Sequence, residues 1–406
     1  MKAAMQVRQI NAAAPQRALG AAIVASALVM LSALAAPALA GSREQAMRMH
    51  DRLNGSPPTQ AVLDSMQAQI DGGNAKGAAL LAIDDPNGNF YSVVLKNFAM
   101  PWTNRDQTAF APLNDYVATV VGMVRDEVPF NTLLSADLIY VGKSGLGLPA
   151  YSNTDNNHYV QMEAQALNLR DVLVAAPQSA TTGLPAAATA GVITTRAAAR
   201  AFFILGTNRA MFRFTMINHM CTDLQLVMDI TRPTDRIRQD VSRSPGGDSR
   251  VFLNNCVGCH SGMDPMVQAF AFYDYVDNTT TDNGSLQYTP GTVVGKYFHN
   301  NTTFAPGYIT PDDHWDNRWR TGQNSLMGWD STQPGSGNGA KSLGAEIGAS
   351  GQFAQCQVTK VFQAVCLRAP SDAADRSQVA TMVADFKQGY SLKNAFAEAA
   401  VYCMGN

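Results

Sequence analysis

The run Cys256-Val257-Gly258-Cys259-His260 constrains this chain more than any other feature. Two thiols three positions apart fall on one helical turn and an imidazole follows the second directly, which is C-x-x-C-H, the attachment sequence for a c-type haem. With six Cys and six His in 406 residues, about 0.001 chance matches are expected. On this reading Cys256 and Cys259 form thioethers to the two vinyl groups and His260 is the proximal iron ligand. The motif occurs once, so one covalent haem c is expected. A redox dithiol of thioredoxin type would sit near a βαβ pattern, which the sequence lacks. A zinc site would need two more ligands, and no second C-x-x-C or H-x-x-x-H-type pair follows.

Residues 1–40 carry Lys2, Arg8 and Arg17 and no acid, then the apolar stretch Gly20 to Leu34, then Ala38-Leu39-Ala40. That order predicts a signal peptide cleaved after Ala40, with Gly41 as the first mature residue. Loss of three cations takes the formal charge from −2 to −5. The expected product is periplasmic or otherwise exported, with no stable membrane span once the signal is removed. It has no basic excess to neutralise phosphates, so no nucleic acid is expected as a partner.

The fold class expected is mainly α: a helical N-terminal domain, then a cytochrome-c-like haem domain with long loops and a three-helix C-terminal segment. Residues 41–177 would form the first domain and 178–192, uncharged and rich in Pro, Ala, Gly and Thr, a linker or loop. Residues 193–351 would form the haem domain with a loop insertion, and 352–406 the helical tail. Ser56-Pro57-Pro58-Thr59 reads as a helix entrance before the stripe Leu63, Met66, Ile70. Leu133 to Val141 fits a strand or a helix. A helix from Arg209 to Ile230 would be closed by Pro233. Asn278 to Pro290 and Ser331 to Gly351 read as Gly-rich loops. After the motif, Ser261-Gly262 would end its helix, and Asp264-Pro265 would cap a new one running to Tyr275.

The distal ligand is sought downstream. Met263 lies on the segment tethered to the proximal side; Met327, in a loop tens of residues later, is the preferred candidate, with His299, His314 and His219 as imidazole alternatives. Five arginines between Arg232 and Arg250 could pair with haem propionates. Trp315, Trp319 and Trp329 suit packing over the cofactor or an interface. Cys221, Cys356, Cys366 and Cys403 remain for two disulfides. If the tail helices run up, down and up, Cys366 meets Cys403 and Cys221 pairs with Cys356.

The stretch from Cys256 to Met266, followed by Ala269-Phe270-Ala271-Phe272-Tyr273, resembles the planctomycete-type cytochrome c domain families of unknown function, where C-x-x-C-H precedes an Asp-Pro pair and an apolar helix. Phe353-Ala354-Gln355-Cys356, then Asp385-Phe386, Gly389-Tyr390 and Leu392, is similar to their terminal domain. His50 to Pro58 resembles a helical segment ahead of such domains. The resemblance implies haem attachment at Cys256 and Cys259 and ligation by His260, and implies no substrate. The insertion between Asn278 and Gly351 departs from the family pattern.

The function expected is electron transfer to redox partner proteins by an exported monohaem c-type cytochrome. The alternative is a haem enzyme or sensor with an open distal site, of peroxidase or gas-binding type. A third reading gives the work to a binding module in the N-terminal domain. No nucleophile triad or phosphate loop stands out.

Overall fold

The computed structural model describes residues 40–204, 206–277, 283–298 and 304–405. Helices form where polar caps precede apolar stripes. After α1 (Ser42–Asn54), the Thr59 hydroxyl accepts the N–H of Val62 and opens α2 (Gln60–Asp71), which buries Leu63 and Met66. Asn74 likewise caps α3 (Ala75–Ile83). These three helices pack on one another. Between α3 and the next helix, a short helical stretch carries Phe90, Phe98 and Trp102 into the core.

Helix α4 (Asp115–Arg125) is buried from Asp115 to Val124, which makes it the central helix. It is followed by α5 (Asn157–Ala164) and α6 (Arg196–Phe202). The Asp115 carboxylate accepts the backbone N–H groups of Arg196 at 2.6 Å and Ala197 at 3.1 Å, so α4 caps α6 through a side chain. The chain continues through α7 (Arg209–Met220) and the motif helix α8 (Val257–Val267). It closes with α9 (Gly339–Gly348), α10 (Gly351–Cys366), α11 (Ala373–Gly389) and α12 (Leu392–Cys403).

Among the described residues the strands form three separate antiparallel ribbons. β1 (Ile139–Gly142) pairs β2 (Leu173–Ala176) with Ile139 opposite Ala176. β3 (Tyr273–Val276) pairs β4 (Ser285–Tyr288) with Tyr273 opposite Tyr288. β5 (His314–Asp316) pairs β6 (Ser336–Asn338) with His314 opposite Asn338. The protein is mainly α, as expected, and Leu133 to Val141 ends in strand rather than helix.

The expected domain boundaries do not correspond to separate bodies, because Ser42–Met404 form one compact unit. The apolar faces at the two ends of this unit complete each other. Lys76 Nζ lies 2.7 Å from Glu398, Arg48 donates to the Met404 carbonyl at 2.6 Å, and Arg52 donates to that of Val365 at 2.8 Å. Phe90 and Phe396 meet edge to face with centroids 5.1 Å apart. The stretch 178–192 is no free spacer either: Gln178, Ala188, Thr189, Ala190 and Val192 are buried. Gly191, at φ +51°, sits so close to Leu133 that a Cβ would lie 1.9 Å from its carbonyl oxygen. Small residues there serve close packing.

Three helix expectations are corrected. α7 stops at Cys221, which takes φ +51°, well before Pro233. The expected loop 331–351 contains β6 and α9. Its glycines are what α9 needs to approach 131–134, since a Cβ on Gly344 would lie 1.8 Å from the Leu134 carbonyl oxygen and one on Gly348 2.1 Å from that of Asn131. The motif helix does not end at Gly262. α8 runs through Pro265, a short 3-10 turn covers Gln268–Phe270, and the chain then turns to β3.

Both expected disulfides form: Cys221–Cys356 fastens the end of α7 to α10, and Cys366–Cys403 joins α10 to α12. The stretch 20–34 lies outside the described residues. Among the described residues no helix is long and apolar enough to cross a membrane.

Candidate functional site

Cys256 ends a wide helical turn over Phe252–Cys256, and α8 starts at Val257, so both motif thiols and His260 are carried by one continuous helical run. These two cysteines are the pair left free when the other four are bonded, and both are partly exposed. The Cys256 thiol faces the Val251 carbonyl at 3.8 Å and the Cys259 thiol donates to that of Leu224 at 3.4 Å. Burial pushes the Cys259 thiol up, and Cys256 and Asp223 act in the same sense. Among the described residues no βαβ unit of the kind a thioredoxin-type dithiol sits on accompanies the motif.

The segment after Cys221 lies along α8. The Asp229 amide donates to the Gly258 carbonyl at 3.0 Å and the Ser261 hydroxyl donates to the Asp229 carbonyl at 3.1 Å. Gly258 permits this approach, since a Cβ there would lie 3.2 Å from the Met228 Cβ and 3.4 Å from the Ile230 Cγ2. One turn further along the same face, Gly262 lets the Trp319 indole lie directly on the helix. α8 is thereby held along one face, and three large apolar groups on the segments next to it stand in water: Leu226, Ile230 and Leu253 are 73%, 67% and 57% exposed. Large apolar side chains left uncovered beside two free thiols suit a flat apolar group.

His260 is oriented by a residue one turn on. Its Nδ1 lies 3.1 Å from Oδ1 of Asp264, whose carboxylate is wholly buried. Arg209 donates to Asp264 through Nε at 2.9 Å and Nη2 at 3.1 Å, and the Arg238 amide adds a bond at 3.3 Å. Arg209 also grips Asp240, at 2.5 and 2.9 Å. Burial would raise the Asp264 carboxyl, but the charge of Arg209, followed by His260 and Arg238, holds it well below the usual range. With Nδ1 engaged, Nε2 is the nitrogen left to bind a metal. Sequence reasoning took Asp264 for a helix cap and missed Arg209. The signal was present, because Asp at i+4 from His shares its face once the helix continues through Pro265.

Met327 ends a 3-10 turn over Gln323–Met327 and is buried in the main core. Its loop is tied to the segment beside α8: Asn324 donates to the Val227 carbonyl at 2.9 Å and Gln323 donates to that of Met228. The neighbouring Leu326 is 90% exposed. Met263 is buried within α8. His219 is buried against Tyr116, and His314 is half-buried, 3.5 Å from Asp316. His299 lies outside the described residues. Of the five arginines, Arg232 pairs with Asp229, Arg236 with Asp316, and Arg250 with Asp248. Arg243 donates to the carbonyls of Ile237 and Val241 and stacks on Phe304. Arg238 is buried over the Tyr297 ring at 4.6 Å.

Among the described residues no group of three or more His, Cys, Asp and Glu side chains converges to cage a bare ion. A haem iron brings four nitrogens of its own and asks the motif for one imidazole, which is what His260 offers. No family model matches the chain, and no curated protein or solved structure matches it either.

Proposed function

We propose that this protein is an exported monohaem c-type cytochrome that exchanges single electrons with redox partner proteins. Haem c would be held by thioethers to Cys256 and Cys259, with His260 Nε2 as the proximal ligand, and when bound it supplies a one-electron iron couple. The observation that carries the reading is the pair of free thiols one turn apart beside an imidazole whose Nδ1 is already engaged. The chain's own residues do the rest. Leu226, Ile230 and Leu253 offer apolar surface to the ring, Gly258 and Gly262 let the supporting segments close on α8, and Met327 is the proposed sixth ligand from a loop tied beside that helix.

The test is production of the full chain in a host with c-type haem maturation, followed by a pyridine haemochrome spectrum and a haem-stained denaturing gel. Haem that stays with the chain under denaturing conditions, and is lost from a Cys256→Ser/Cys259→Ser double variant, is the expected result. A full-length product without covalent haem in that host would overturn the reading. Rapid CO binding by the ferrous protein at neutral pH would instead favour the open-site haem enzyme or sensor over the six-coordinate carrier.

A further inference from the structure

We propose that Asp264 is a positioning residue for the proximal ligand: its carboxylate accepts the Nδ1–H of His260, points Nε2 at the iron position, and biases a bound iron toward its oxidised state. This inference rests on the haem reading above. The geometry is one turn of a single helix, 3.1 Å from Nδ1 to Oδ1, so no loop movement separates the pair. Asp264 is wholly buried, and the Arg209 guanidinium fork fixes it from behind, as does the amide of Arg238. Arg209 is shared with Asp240, which also lies 3.6 Å from Arg238 Nε. Two carboxylates and two guanidiniums therefore form a charge cluster beneath the imidazole, and Asp264 is the member that touches it.

Direction follows from charge. A carboxylate on Nδ1 makes the imidazole a stronger donor, as with metal-bound histidines whose other nitrogen meets a carboxylate. A stronger donor with a fixed negative charge behind it stabilises the ferric over the ferrous state, which lowers the midpoint potential. A neutral backbone carbonyl in the same place would supply orientation without the charge. A purely structural role would have Asp264 serve only Arg209 and the packing of α8 on α7.

The two roles separate in the matured holoprotein. Asp264→Asn keeps an oxygen for the Nδ1–H and removes the charge. The expected result is retained covalent haem with the reduction equilibrium moved toward ferrous at least tenfold, about 59 mV for one electron. Asp240→Asn leaves Asp264 in contact with His260 and frees Arg209 to draw more of its charge, so the potential moves the same way by a smaller amount. Should the first variant fail to accumulate, the second and the wild type decide. In the wild-type ferrous protein the ¹⁵N-labelled Nδ1 proton of His260 is expected to be retained and slow to exchange. Potentials unchanged within a factor of two in the reduction equilibrium, or fast exchange of that proton, would overturn the proposal. A wild-type chain that takes up no haem overturns the cytochrome reading instead, and the haem stain reports that outcome separately.

Discussion

His219 is buried between Trp102, Tyr116 and Phe353, with Nε2 2.6 Å from the Tyr116 hydroxyl. Burial, and then the charge of Lys360, holds its imidazole well below the usual range, so the folded protein keeps it neutral. The unfolded chain protonates the same ring near pH ~6.5. Below that value the unfolded state binds a proton that the folded state refuses, so stability falls as pH drops. Urea unfolding of the wild type and of His219→Phe, at about pH 5 and about pH 7.5, is the check. The variant is weaker at both for want of the Tyr116 bond, but the loss between the two values is expected to be larger in the wild type; equal losses would refute it. At this scale the sequence was legible where chemistry is local. Cys256, Cys259 and His260 share one helical run, as their spacing implies, whereas Asp264 and Arg209 are 55 residues apart and meet only in the fold.

Gly262 shows what holds an element in place. A Cβ there would lie 1.9 Å from the Trp319 Nε1, inside a site where the indole is wholly buried. Gly262→Ala therefore forces the ring or α8 aside, with an expected loss of about 1–3 kcal/mol. Unfolding of the single variant and of Gly262→Ala/Trp319→Phe measures it, the smaller ring restoring part of the loss; an alanine variant as stable as the wild type would sink the claim. Element types were readable where a cap and an apolar stripe coincide, as at Thr59 with Leu63 and Met66. They were not readable in α9, because glycine lowers helix propensity and gives no sign that it is there for the backbones of Leu134 and Asn131. Nor was the end of α7 visible, since Cys221 adopts a left-handed conformation that favours glycine or asparagine in an isolated helix.

Across the whole molecule the disulfides close loops of unequal size, with partners 135 and 37 residues apart. Chain entropy makes the first worth about 5 kcal/mol and the second about 4 kcal/mol. Serine pairs at Cys221/Cys356 and at Cys366/Cys403, compared by urea unfolding under identical conditions, are expected to rank in that order. A clearly larger loss from the second pair would contradict it. The pairing itself was legible from the tail's three-helix arrangement. The domain plan was not, because composition along the chain does not reveal that α1 and α3 find their partner in α12. That closure also sets a clock. The first helices stay without their covering surface until residues 392–403 have been made, while the two thiols emerge some 140 residues earlier. A haem-attaching machinery that met this chain as it was exported N-terminus first would find its cysteines on an open, incomplete fold, ahead of the last helix that shuts the molecule.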